Sequence, residues 1–201
     1  MKLIIKAILV LAIIFMPVIA YPGALQDEIL RITPNYVGIH ETWGPNKGPE
    51  VNQILKRAGS EPGQPWCMSL VYTINDDAAQ NIGIKNPLPR TASSSVYWIY
   101  AAKHKLTYKV TPASQVLLGA KVNPAATGIF KHGAYRRDGT FAGHADVVIR
   151  QIDRKRYYGL DGNTTESDKD LKSQFEGGQS SYKTRVLGVP SFLVMGFIEV
   201  R

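Results

Sequence analysis

Cys67 is the only cysteine in the chain, and it stands in the stretch Pro-Gly-Gln-Pro-Trp-Cys-Met-Ser-Leu, residues 62–70. It is the second residue after Pro65, at the opening of a run with helical periodicity. A thiol in the first turn of a helix meets unpaired backbone N–H groups and the positive end of the helix dipole, and both stabilise a thiolate. A cysteine needed only for packing fits any apolar face, so this position suits a nucleophile. A thiolate nucleophile needs a general base, and the base needs a group that orients it. Four histidines are available: His40, His104, His132 and His144. His104 lies between Lys103 and Lys105 at a helix end and reads as a surface residue. His132 stands at a strand end before Gly133, and His40 at the mouth of a loop. His144 follows Gly143 and opens the most strand-like run of the chain, Gly-His-Ala-Asp-Val-Val-Ile, which holds a side chain more rigidly than a loop and favours it as the base. One strand later, Asp161 and Asn163 in Gly-Leu-Asp-Gly-Asn-Thr-Thr are spaced to share one strand face, and either could accept a proton from the imidazole and fix its tautomer. The histidines lack metal-ligand spacing and Cys67 has no cysteine partner, so the expectation is chemistry without metal or cofactor.

The elements that must position these residues are legible in outline. Ala24–Ile32 has the apolar spacing of a short helix, stopped by Thr33-Pro34. Residues 41–50 form a Gly/Pro-rich loop, 50–59 read as a helix ending at Gly59, and 61–65 as a turn. The helix that begins after Pro65 extends to about Gln80, and another covers Ser93 to Lys103 with Ser93 or Ser94 as its N-cap. Beyond residue 110 the runs 126–133, 143–152, 155–162 and 191–200 are β-rich and bounded by Gly, Asp and Pro, whereas 163–183 read as a polar loop or a small excursion between strands. Helices first and strands second predict an α+β domain with helices packed on an antiparallel sheet.

Lys2 and Lys6 followed by an apolar run from Ala7 to Ala20, with Val18 and Ala20 at its end, match a secretory signal peptide over residues 1–20. The run is shorter than a spanning helix requires, and no second run is long enough. The expectation is therefore a single domain over residues 21–201, periplasmic or secreted to the cell envelope and without stable membrane insertion once the signal is cleaved, with an uncleaved anchor as the alternative. The net charge of +8 falls to +6 when Lys2 and Lys6 are removed, which favours anionic surfaces such as cell-wall polymers. The basic residues are scattered among carboxylates and turns, which argues against a nucleic-acid interface.

Together these residues resemble one family. Gly38, Glu41, Gly44, Pro45, Asn46, Gly48, Pro49 and Val51, followed by Gly63, Pro65, Trp66, Cys67, Leu70 and Val71, are similar to the opening of CHAP-type peptidoglycan hydrolases. These are papain-like, NlpC-related cysteine amidases and peptidases. "GHADVVI", "DGNTT" and the terminal "GFIEV" resemble the family's later strands. The resemblance implies a papain-like α+β fold, Cys67 as nucleophile, His144 as base, and Asp161 or Asn163 as the third member. It also implies bacterial peptidoglycan as substrate. Trp66 is expected either to shape the groove beside the thiol or to cap the helix, and Gln64 to donate to the oxyanion. Asp146 stands where the family often has Gly. It is expected to tune the imidazole, contact substrate, or lie solvated at the groove edge. The rival readings are an amidase for a substrate other than peptidoglycan and an inactive wall-binding module with a buried Cys67.

Overall fold

A computed structural model describes residues 23–165, 177–189 and 193–201. The expected signal segment, residues 1–20, lies outside the described residues. Four helices come first: α1 (Ala24–Ile32, continued by a 3-10 turn at Thr33–Tyr36), α2 (Pro49–Arg57), α3 (Cys67–Asn81) and α4 (Ser94–Lys103). Then follow β1 (Tyr108–Pro112), the short α5 (Ala113–Leu117), β2 (Thr127–His132), β3 (Ala142–Gln151), β4 (Arg156–Thr164), β5 (Gln179–Val186) and β6 (Leu193–Val200). The six strands form one sheet in the order β1-β6-β2-β3-β4-β5, and every neighbouring pair is antiparallel. The expectation of an α+β domain with helices on an antiparallel sheet matches this arrangement.

Alternation along the strands builds two apolar clusters. Ala145 and Val147 of β3 and Leu160 of β4 join Trp66, Met68, Leu70, Val71 and Ile74 of the α3 region in the larger cluster. Phe130, Val148, Tyr157, Val194 and Phe197 form the second cluster with Ala113 and Val116 of α5. Helix α3 is the central helix of its layer, packed by α1 and α2 and set against β3 and β4. It is buried along most of its length because it has neighbours on nearly every side. Gly162 allows this closeness. A Cβ there would lie 2.8 Å from Leu70 Cδ2 and 3.0 Å from Trp66 Cζ3.

One sequence expectation is corrected. Residues 163–164 end β4 and 179–183 fall in strand β5, not in a loop, and 166–176 lie outside the described residues; the strand was hidden because its inward face carries Lys183 and Arg185 in place of apolar side chains. The strand β1 and the helix α5 were not expected from the sequence.

Candidate active site

Cys67 is the first residue of α3, with Trp66 as N-cap. The first intrahelical bond runs from Leu70 N–H to Trp66 C=O, so the amides of the opening turn are left for other acceptors. The Met68 N–H bonds the Cys67 sulfur. The Ala145 N–H, just beyond the last β3–β4 pair at Asp146↔Asp161, bonds it from the other side. Burial pushes the Cys67 thiol up. The charge and hydrogen bond of His144 and these two amides outweigh it, so the thiol lies below its ordinary range.

His144 is buried on β3, and its ring meets Phe130 edge-on with centroids 5.4 Å apart. Its Nε2 lies 3.3 Å from Asp161 Oδ2, which leaves Nδ1 as the nitrogen that serves the thiol. Asp161 is fully buried and forms an ion pair with Arg185 of β5 through the same oxygen. Cys67, His144 and Asp161 are thus in sequence from helix start to strand to strand. Gly143 permits the β3 side of this contact, since a Cβ there would overlap the Phe130 carbonyl and Ser94 Oγ.

Asn163 is elsewhere. The strand register breaks between Asp161 and Thr164, and Asn163 adopts a left-handed backbone with φ 55°. The alternation that was to put Asp161 and Asn163 on one face therefore fails. With its amide turned to satisfy its surroundings, Asn163 donates to Glu41 Oε1 at 3.1 Å and to the Gly177 carbonyl at 2.8 Å. The same Glu41 oxygen accepts from Trp66 Nε1 at 2.8 Å. Glu41 ties the loop after α1, the start of α3 and the end of β4 together.

Trp66 has no exposed surface, so it acts through this tie and through packing on Gly162, not as a groove wall. Asp146 is likewise fully buried, so the readings of a substrate contact or a solvated groove edge are corrected. It is enclosed between Gly128 and Gly159, where a Cβ would collide with its carboxylate, and it accepts from Tyr157 Oη at 2.8 Å. Burial pushes its carboxyl up, against the opposing pull of Arg185 and the Tyr157 hydroxyl. Gln64 is exposed and lines the cleft that holds Cys67. That cleft, ≈ 450 Å³, is also lined by Pro65, Ser93, Ser94, Arg136 and Gly143.

Of the other imidazoles, His40 makes an isolated bridge with Gln179, and His104 is the C-cap of α4 stacked on Tyr100. His132 is half-buried near the site. Burial, aided by the charges of His144 and Arg185, pushes it down to about 4. Among the described residues no group of three or more His, Cys, Asp or Glu side chains could hold a metal ion. Sequence reasoning missed Arg185, Glu41 as a tie, and His132 as a neighbour of the base. The alternation of Lys183 and Arg185 between Tyr182 and Val186 is the signal that could have marked a strand with a charged inward face. Comparison with protein-family models gives no match, and comparison with curated proteins gives none either.

Proposed function

We propose that this chain is an exported cysteine hydrolase of the papain-like, CHAP type that cleaves amide bonds of bacterial peptidoglycan, as an amidase or an endopeptidase. The observation that carries the hydrolase reading is the sequence of contacts from the Cys67 sulfur to His144 and from His144 Nε2 to Asp161, 3.3 Å away, beside an open cleft. The choice of peptidoglycan rests on the resemblance of the stretch from Gly38 to Val71. The helix-start cysteine, and the histidine on a strand of an antiparallel sheet, support the papain-like assignment.

In this mechanism the Cys67 thiolate attacks the amide carbonyl carbon, a C–S bond forms, and the carbonyl oxygen takes up the negative charge. The backbone N–H of Cys67 and the Gln64 side chain are the candidate donors to that oxygen. The imidazolium of His144 gives its proton to the amine nitrogen as the C–N bond breaks, leaving a thioester. His144 then takes a proton from water, whose oxygen attacks the thioester, and the thiolate departs as the carboxylic acid forms. Asp161 holds the ring in place for both proton transfers.

Purified cell walls treated with the wild-type protein and with Cys67→Ala test the reading. Release of soluble fragments by the wild type alone is expected. Equal release by the two proteins would overturn the mechanism, and no release by either would overturn the substrate.

A further inference from the structure

We propose that Arg185 is a positioning residue of the Cys67–His144–Asp161 site: its buried guanidinium holds Asp161 ionised against His144, and its charge helps set the pH at which Cys67 becomes a thiolate. The inference rests on the reading of Cys67 and His144 as nucleophile and base.

Three observations carry it. Arg185 is 1 % exposed, and it is paired with the Asp161 oxygen that faces His144 Nε2. A carboxylate so buried keeps its charge only with a counter-charge, and Arg185 supplies one. The guanidinium also lies over the Phe130 ring, 5.3 Å from its centroid, and that ring meets the His144 imidazole edge-on. Cation and base thus share one wall as well as one carboxylate.

The charge balance gives the arrangement a chemical consequence. Asp161 alone would draw positive charge onto His144 and oppose a negative sulfur beside it. Paired with Arg185, it still accepts the Nε2 proton and fixes the tautomer, but its field at Cys67 is largely cancelled. Among the described residues, the titratable and charged groups around this cluster are His132 on β2, His144 and Asp146 on β3, Tyr157 and Asp161 on β4, Lys183 on β5, and Glu41, which accepts from Trp66 beside Cys67. Arg136 lies at the cleft. Asp146 is the cross-strand partner of Asp161, and the charge of Arg185 acts on it as well.

Cys67 is the only thiol, so the pH dependence of its alkylation by iodoacetamide reads its ionisation without any substrate. Near-ultraviolet circular dichroism reports the fold of each variant. In Arg185→Met the midpoint should rise by at least ~0.5 pH unit, because a cation that favours the thiolate is lost. The double variant Asp161→Asn/Arg185→Met removes both charges, and its midpoint should lie above that of Asp161→Asn. If Arg185→Met does not fold, the midpoint difference between Asp161→Asn and the double variant measures the same charge, and it should be upward. An unchanged midpoint on removal of Arg185, in either background, would overturn the proposal. Because no wall digestion enters the series, its outcome is independent of whether peptidoglycan is the substrate.

Discussion

At the scale of single residues, the account depends on which side chains face the imidazole. His144→Ala should lower the rate by at least ~100-fold, the usual scale for loss of a general base. Asp161→Asn removes a charge-assisted contact worth ~1.5–3 kcal/mol, or ~10–100-fold if it is made in the transition state. Asn163→Ala should leave the rate within the same order, since Asn163 bonds Glu41 and Gly177, and should cost ~1 kcal/mol of stability instead. Steady-state rates and denaturation midpoints for the two variants check this directly. A crippled Asn163→Ala with an untouched Asp161→Asn would reverse the assignment. Two pH effects follow from the shifted groups. Because the Cys67 thiol lies below its ordinary range, its contribution to stability is full above the unfolded value of ~8.5 and is lost as pH falls through the lowered folded value. The acid limb of the rate should fall in that same lowered range. His132 is pushed down to about 4, so it stays neutral in the fold while the unfolded chain takes a proton. Its share of stability is complete above ~6.5 and declines as pH falls from there toward about 4. His132→Gln should flatten that part of the stability–pH curve measured by urea denaturation. A curve as steep as the wild type's would place the acid sensitivity elsewhere.

At the scale of elements, the site exists because α3 can lie close against β4. Gly162→Ala should cost ~1–3 kcal/mol, because the new methyl meets Leu70 and Trp66 at 2.8 and 3.0 Å and neither can withdraw from a packed core. A shift in the urea midpoint at unchanged slope would register it, whereas a wild-type midpoint would mean the helix moves freely. The helices were the legible part of the fold. Periodic apolar residues and the punctuation at Thr33-Pro34, Pro65 and Ser93 mark α1, α3 and α4 in the sequence, and the nucleophile's place at a helix start follows from Pro65 alone. Strand β5 was not legible, since its buried positions include Lys183 and Arg185 and no hydrophobic alternation exists to read. The partner of His144 was legible only as a pair of candidates. Choosing between Asp161 and Asn163 needed the backbone break after Asp161, for which the sequence offered only the turn-like composition of Asp-Gly-Asn. The burial of Asp146 was hidden for a related reason. The glycines that enclose it, Gly128 and Gly159, lie on the two strands flanking it, far apart in sequence.

At the scale of the whole molecule, a net charge of +8, or +6 without residues 1–20, should make the proposed association with an anionic cell wall weaken as salt rises. Co-sedimentation with purified walls across a salt series checks this, and binding that ignores salt would mean the attraction is not electrostatic. No helix among the described residues is long and apolar enough to cross a membrane. The proposed function comes down to one claim: that Cys67 cleaves an amide of the wall polymer through a thioester. Mass spectrometry of the muropeptides left by digestion with wild-type and Cys67→Ala protein tests it most directly, because it names the bond broken and ties the cleavage to the sulfur. The account predicts a single class of new amine and carboxylate ends in the wild-type digest and none with Cys67→Ala. Identical muropeptide profiles for the two proteins would contradict it.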